Sequence, residues 1–234
     1  MKVSAVIVAG GKGKRMKGAI RKQYLSLAGH PVLIHTLNVF VRMDEVESIC
    51  LVVPEADMDY CASLASGVSG NKKKIKLVPG GNERQDSVYN GLSEVEDKTG
   101  IAVIHDAVRP FVPPRHIKAC IREAETSGAC ILGLPASDTL KRIAADGTIT
   151  KTLDRDGVWL AQTPQVFTYP LIMKAHELAQ ADGFRGTDDA SLVEYLGHPV
   201  RMVSGGKYNI KITTRDDLLL AESIIKTMRD EIGG

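Results

Sequence analysis

The chain has 234 residues, with 30 Lys and Arg against 28 Asp and Glu, 44% apolar and 25% charged residues. This average composition and near-balanced charge exclude a disordered chain, a collagen-like repeat and a general polyanion binder, so nucleic acid is not an expected partner. No apolar run approaches the ~20 residues that cross a bilayer, and the opening Met1 to Ala9 runs into glycines without a cleavage-site pattern, which leads to the expectation of a cytoplasmic protein without membrane contact.

In chain order, Val3 to Val8, Ser48 to Val53, Ile75 to Val78, Ile101 to His105 and Ala129 to Leu134 are short, rich in β-branched residues and mostly apolar, and predict buried strands. Between them, Pro31 to Met43 sets Leu33, Leu37, Phe40 and Val41 on one helical face. Glu83 to Val95 does the same with Val88, Leu92 and Val95, and Asn82 and Gln85 are spaced as its N-terminal cap. Strands without polar alternation, interleaved with helices, predict an α/β protein with a mostly parallel, Rossmann-like sheet covered by helices on both faces. The rhythm changes where Thr139 to Ile143 and Thr148 to Leu153 flank Asp146-Gly147, which predicts a β-hairpin. Its polar strands are unsuited to a core, so this arm, at about 137–158, either projects into solvent or lies on another subunit. Helices are expected at Pro170 to Ala181, Asp188 to Leu196 (ended by Gly197) and Thr214 to Ile232, and residues 1–234 read as one domain.

Cys50, Cys61, Cys120 and Cys130 form no C-x-x-C pair, and the histidines form no H-x-x-x-H pair, so a zinc or redox site is not indicated and buried thiols are expected. The chemistry concentrates after the first strand, in Ala9-Gly10-Gly11-Lys12-Gly13-Lys14-Arg15-Met16, where Lys12 to Lys22 hold six cations and no acid. Glycines let a backbone approach an anion and cations neutralise phosphate oxygens, so the loop suits a polyphosphate; the plainer alternative is a solvated basic turn. Counting removes two familiar motifs. A Rossmann fingerprint needs a small residue where Met16 stands and an acid after the second strand, and a Walker loop needs Ser or Thr at Arg15 and Gly at Val8.

The pattern that does fit, strand, A-G-G-x-G-x-R-M, loop, K-Q-Y-L, resembles the sugar and polyol nucleotidyltransferases, and within them the methylerythritol phosphate cytidylyltransferase family. The resemblance continues through Gly80-Gly81-Asn82-Glu83-Arg84-Gln85-Asp86-Ser87-Val88, His105-Asp106-Ala107-Val108-Arg109-Pro110, Ser137-Asp138-Thr139-Leu140-Lys141, Leu153-Asp154-Arg155-Asp156-Gly157-Val158-Trp159, Gln162-Thr163-Pro164-Gln165, Thr187-Asp188-Asp189-Ala190-Ser191 and Asn209-Ile210-Lys211. It implies transfer of CMP from CTP to 2-C-methyl-D-erythritol 4-phosphate, with release of pyrophosphate. It further implies Arg15, Lys22, Arg155 and Lys211 as catalytic residues, and Ala9, Gly10, Gly11, Gly13, Gly80, Gly81, Asn82, Ser87, Asp106 and Ala107 at the nucleotide. The acceptor falls to Asp106, Arg109, Thr139, Arg155, Thr163, Thr187 and Lys211. Asp106 is the implied ligand of Mg²⁺ or another divalent cation, and the arm the implied homodimer contact.

Plainer readings stand beside these: a βα turn for Gly80 to Asn82, an ion pair of Asp106 with Arg109, and a surface pair of Arg155 with Asp154 or Asp156. A second metal-binding acid, common in relatives before the last helix, is missing from Gly206-Lys207-Tyr208-Asn209. Gly10 stands where the family usually has alanine. Arg21 stands where it usually has proline, an exchange expected to loosen the loop carrying Lys22. The rival readings are a ribitol 5-phosphate cytidylyltransferase and a non-catalytic nucleotide-binding regulator.

Overall fold

The computed structural model describes residues 1–10, 20–68 and 73–233. In chain order it contains β1 (Val3–Val8), a 3-10 turn (Lys22–Tyr24), β2 (Ser26–Leu27), β3 (His30–Pro31), α1 (Val32–Val41), β4 (Val46–Val53), α2 (Met58–Ser66), β5 (Lys74–Pro79) and α3 (Arg84–Ser93). Then follow β6 (Ile101–Asp106), α4 (Pro114–Ser127), β7 (Ala129–Pro135), β8 (Leu140–Ile143), β9 (Ile149–Leu153), β10 (Trp159–Thr168), α5 (Tyr169–Ala181), α6 (Asp189–Tyr195), β11 (Arg201–Ser204) and α7 (Arg215–Gly233).

Seven strands form one sheet in the order β11-β7-β10-β6-β1-β4-β5. All run parallel except β10, which is antiparallel to both β6 and β7. Every residue of β1 and β6 is buried, as strands covered on both faces require. Side chains alternate across the sheet. Ile7, Leu51 and Val103 pack under Leu33, Leu37 and Phe40 of α1 and Ile117 of α4, while Val6, Val52 and Ile104 pack under Val88 and Leu92 of α3 and Ile172 of α5. A third cluster joins Val108 and Phe111, just beyond β6, to Ala221 and Ile224 of α7. Parallel direction brings the carboxyl ends of β1, β5 and β6 to one edge, so Ala9-Gly10, Gly80-Gly81 and Asp106 share it. Open α/β sheets bind their ligands at this edge.

The five expected strands and the arm form as read, and the start of α3 departs from its expected cap. β10 lies inside the sheet, between β7 and β6, although Pro164 reads against an interior strand; the ladder to β7 accommodates it by a register break between Ala161 and Gln165. Helix α3 starts one residue later than its expected cap: Glu83 is the extended residue before it, and its N–H bonds the Asp86 carboxylate at 3.1 Å, so Asn82 belongs to the turn. Trp159, at the root of the arm, is 39% exposed, whereas Phe167 is fully buried. The arm itself is a separate two-stranded sheet, β8–β9, closed by Gly147 at φ +85°. Among the described residues no helix is long and apolar enough to cross a membrane.

Candidate active site

The floor of the ligand edge is backbone. Gly10 and Gly80 lie so close that a Cβ on Gly10 would stand 3.8 Å from the Gly80 Cα and 3.0 Å from the Ser87 Oγ, while a Cβ on Gly81 would overlap Asp86. Buried Ser87 holds this turn: its hydroxyl accepts the Gly81 N–H at 3.0 Å and donates to the Glu83 carbonyl at 3.0 Å. Asn82 is exposed beside it. The Ala9 carbonyl accepts from the buried Gln23 amide at 2.7 Å, which latches the 3-10 turn carrying Lys22 to the end of β1. Arg21, expected to loosen this turn, is itself anchored in it: its Nε pairs with Asp57 at 2.9 Å and the Tyr24 hydroxyl donates to the same carboxylate oxygen at 2.9 Å. Gly11, Gly13 and Arg15 lie outside the described residues.

Beside this floor, Asp106 is met by three cations. Arg84 Nε lies 3.2 Å from Oδ1, and Lys211 Nζ and Arg109 Nε lie 2.8 and 3.6 Å from Oδ2. Burial alone would raise the carboxyl pKa, but the charges of Arg84, Lys211 and Arg109 outweigh it and hold Asp106 well below the usual carboxylate range. The ion pair with Arg109 is thus present, as one of three. Arg84 also bonds Asp189 at 2.8 Å, and the N–H groups of Asp189 and Ala190 bond the Gln165 side-chain oxygen at 2.9 and 3.0 Å. Gln165 in turn donates to Asp188, the cap of α6, at 2.7 Å. Exposed Thr187 therefore precedes a firmly held helix start.

Two expected contacts support the site from within. Thr163 is buried, with its hydroxyl engaged by the Asp106 N–H at 3.1 Å and by His105 at 3.0 Å. Fully buried Ala107 gives its N–H to Val8 at 3.0 Å and accepts from Thr36 at 2.8 Å. Burial pushes the neighbouring His105 imidazole down to about 4, so that ring is neutral.

Thr139 and Arg155 are exposed on the arm, where Arg155 bonds the Ser137 carbonyl. Among the described residues no hydrogen bond or ion pair joins either to the Asp106 cluster. Ile143, Ile149, Val158, Trp159 and Leu160 leave apolar surface on the arm and its root.

Among the described residues no three His, Cys, Asp or Glu side chains converge as a metal site. A hard divalent ion held at Asp106 would take this one carboxylate from the protein and draw its remaining ligands from phosphate and water, in competition with the three cations that hold both carboxylate oxygens. Arg84, His105, Gln165, Asp189 and Asn209 all serve this edge without having been assigned to it from the sequence. Their one signal was membership of the motifs quoted above.

The model of the 2-C-methyl-D-erythritol 4-phosphate cytidylyltransferase family matches residues 3–227. The chain is 47% identical over 233 residues to the 2-C-methyl-D-erythritol 4-phosphate cytidylyltransferase of Geotalea uraniireducens, covering 99% of this chain and 100% of the relative. It is 48% identical to that of Syntrophus aciditrophicus, covering 96% of each. Its structure is similar to the crystal structure of 4-diphosphocytidyl-2C-methyl-D-erythritol synthase from Anaerococcus prevotii, with a TM-score of 0.84, 32% identity and 96% of each chain covered.

Proposed function

Since this chain belongs to the 2-C-methyl-D-erythritol 4-phosphate cytidylyltransferase family, we propose that its cationic sheet edge carries out that family's reaction with the residues described above. The reaction moves CMP from CTP to 2-C-methyl-D-erythritol 4-phosphate, forms the CDP-alcohol and releases pyrophosphate. The observation that carries the assignment of residues is the convergence of Arg84, Arg109 and Lys211 on Asp106, at the same edge as the glycine floor.

The acceptor phosphate has a second pKa of about 6 and is largely dianionic at neutral pH, so it can attack the α-phosphorus without a general base. Negative charge then grows on the non-bridging oxygens and on departing pyrophosphate, and cations already in place lower that barrier. Lys22, latched through Gln23, and Arg15 would serve the triphosphate; Lys211 would bridge it and the acceptor. Ala9, Gly10, Gly80, Gly81 and Asn82 would approach the cytosine, with Ser87 holding their turn. Arg109 and Thr187 would orient the acceptor phosphate. A divalent cation, when bound, would neutralise phosphate oxygens and share the Asp106 carboxylate. The reading extends to a cytoplasmic homodimer in which the arm brings Thr139 and Arg155 to a neighbouring subunit, supported by the apolar surface the arm exposes.

The test is pyrophosphate release from CTP with purified protein. Methylerythritol phosphate should be strongly preferred over ribitol 5-phosphate, and Lys22→Ala should cut the rate about 10²- to 10³-fold, as loss of one transition-state contact does. Turnover unaffected by Lys22→Ala would remove this assignment, and CTP binding without turnover would favour the regulator.

A further inference from the structure

His105 lies at the end of β6, fully buried, with its ring 5.1 Å from that of Phe40. Both of its ring nitrogens have partners. Nε2 lies 3.1 Å from the Arg109 carbonyl, and Nδ1 lies 3.0 Å from the Thr163 hydroxyl. A carbonyl oxygen only accepts, so Nε2 carries the hydrogen. In the neutral ring Nδ1 is then a bare acceptor, and the Thr163 hydroxyl must donate to it. That leaves the Thr163 oxygen to accept the Asp106 N–H at 3.1 Å. The wiring runs one way: Asp106 N–H to Thr163, Thr163 O–H to His105, His105 Nε2–H to the Arg109 carbonyl.

This ring spans residues 105 to 109, the loop between the carboxylate that gathers the cations and one of those cations. The Arg109 N–H also bonds the Asp106 carbonyl at 3.0 Å, and the Arg109 guanidinium bonds the Asn209 carbonyl at 2.7 Å. Asn209 in turn donates to the Thr163 carbonyl at 2.8 Å. Thr163 and Arg109 are thus tied on two sides, and Lys211 lies two residues beyond Asn209.

We propose that His105 is a positioning residue for the transfer reaction: locked as the Nε2–H tautomer, it fixes the Asp106 backbone through Thr163 and the Arg109 backbone directly, so that both side chains meet the substrates in register. Thr163 then contributes through His105 and Asp106, without touching the acceptor. The proposal rests on Asp106 and Arg109 acting in the site as proposed above.

The test compares His105→Phe, which keeps an aromatic ring beside Phe40 and removes both hydrogen bonds, with Thr163→Val, Thr163→Ser and the His105→Phe/Thr163→Val double variant. Each of the first two should lower kcat/KM for the acceptor about ten- to a hundredfold, the cost of leaving a buried polar group unpaired. The acceptor KM should rise and kcat fall, whereas a mere loss of folded protein would lower kcat at unchanged KM. Thr163→Ser, which keeps the hydroxyl, should recover most of the loss. The double variant should lose far less than the product of the singles, since both break one wire. ¹⁵N spectra of the imidazole should show hydrogen on Nε2 alone.

Losses that multiply, a Thr163→Ser variant no better than Thr163→Val, or hydrogen on Nδ1 would each overturn the proposal. If His105→Phe does not fold, the two Thr163 variants and the spectrum still decide. Asp106→Asn in the same assay separates the two levels of the argument. Activity surviving Asp106→Asn removes the site reading itself. Activity lost there but kept in His105→Phe and Thr163→Val removes only the role of His105.

Discussion

Replacing Asp106 by asparagine keeps the shape of the side chain and deletes the charge that three cations share. At an effective dielectric of about 20, unit charges 2.8, 3.2 and 3.6 Å apart attract by about 6, 5 and 4.6 kcal/mol. Mutual repulsion among the cations already opposes these attractions, and water reaches Lys211, whose side chain is 35% exposed. The net loss should lie near the low end of the range for breaking a buried pair, about 3 kcal/mol. That lowers the urea midpoint at pH 7 by about 1 M or more.

The sign with pH follows from the depressed carboxyl pKa. Asp106 contributes its stability above the unfolded value of about 3.9 and loses it as pH falls further and the carboxylate takes up a proton. The gap between wild type and Asp106→Asn should therefore be full at pH 7 and narrow below about pH 4. Other carboxylates with lowered pKa, such as Asp217 and Glu45, titrate alike in both proteins and cancel in the difference. Added pyrophosphate should also narrow the gap, since it neutralises the orphaned cations and stabilises whichever folded state binds it better. Urea titrations in metal-free buffer at pH 7, 5 and 3 measure all of this. Equal midpoints at pH 7, or a gap independent of pH, would refute the electrostatic reasoning.

Gly81→Ala should raise the KM for CTP about tenfold or more while the protein stays folded, because the added methyl overlaps Asp86 and must push the glycine floor aside; an unchanged KM in steady-state assays would count against that floor. The four cysteines are buried and unpaired, and burial pushes the Cys50 thiol up to about 11, so a thiol reagent at pH 8 should titrate four groups promptly after unfolding and almost none in the native protein. Ile143→Asp together with Ile149→Asp should shift sedimentation toward monomer and lower turnover, as both side chains are exposed on the arm; a monomeric wild type would contradict the role given to the arm.

The sheet was legible because its signals are local. Val3 to Val8, apolar but for Ser4, and the four apolar residues from Ile101 to Ile104 show no polar alternation and so read as buried on both faces, and Asp146-Gly147 between polar strands specifies a hairpin without tertiary help. Other local signals were present and went unread: α4 begins with Pro113-Pro114 and ends at Gly128 in the left-handed region, the usual asymmetry of helix ends. β10 is a different case. Its Pro164 argues against an interior strand, and only the partners on either side, met through a break in register, put it there.

The electrostatics of the site were not legible for a related reason. Arg84 and Asp189 are separated by 105 residues, and His105 and Thr163 by 58. Nothing in either segment says that these pairs meet until β6 and β10 are placed side by side. Once Gln165 lies opposite Ile104 in that ladder, the Gln165 side chain reaches the start of α6 and Thr163 reaches the Asp106 amide. The antiparallel strand is therefore what converts motifs scattered along the chain into one ionised, hydrogen-bonded edge. A sequence can announce phosphate-binding cations by clustering them, as Lys12 to Lys22 do, but the groups that aim those cations are recruited by topology. They carry no mark of their own beyond being polar residues in segments otherwise destined for burial.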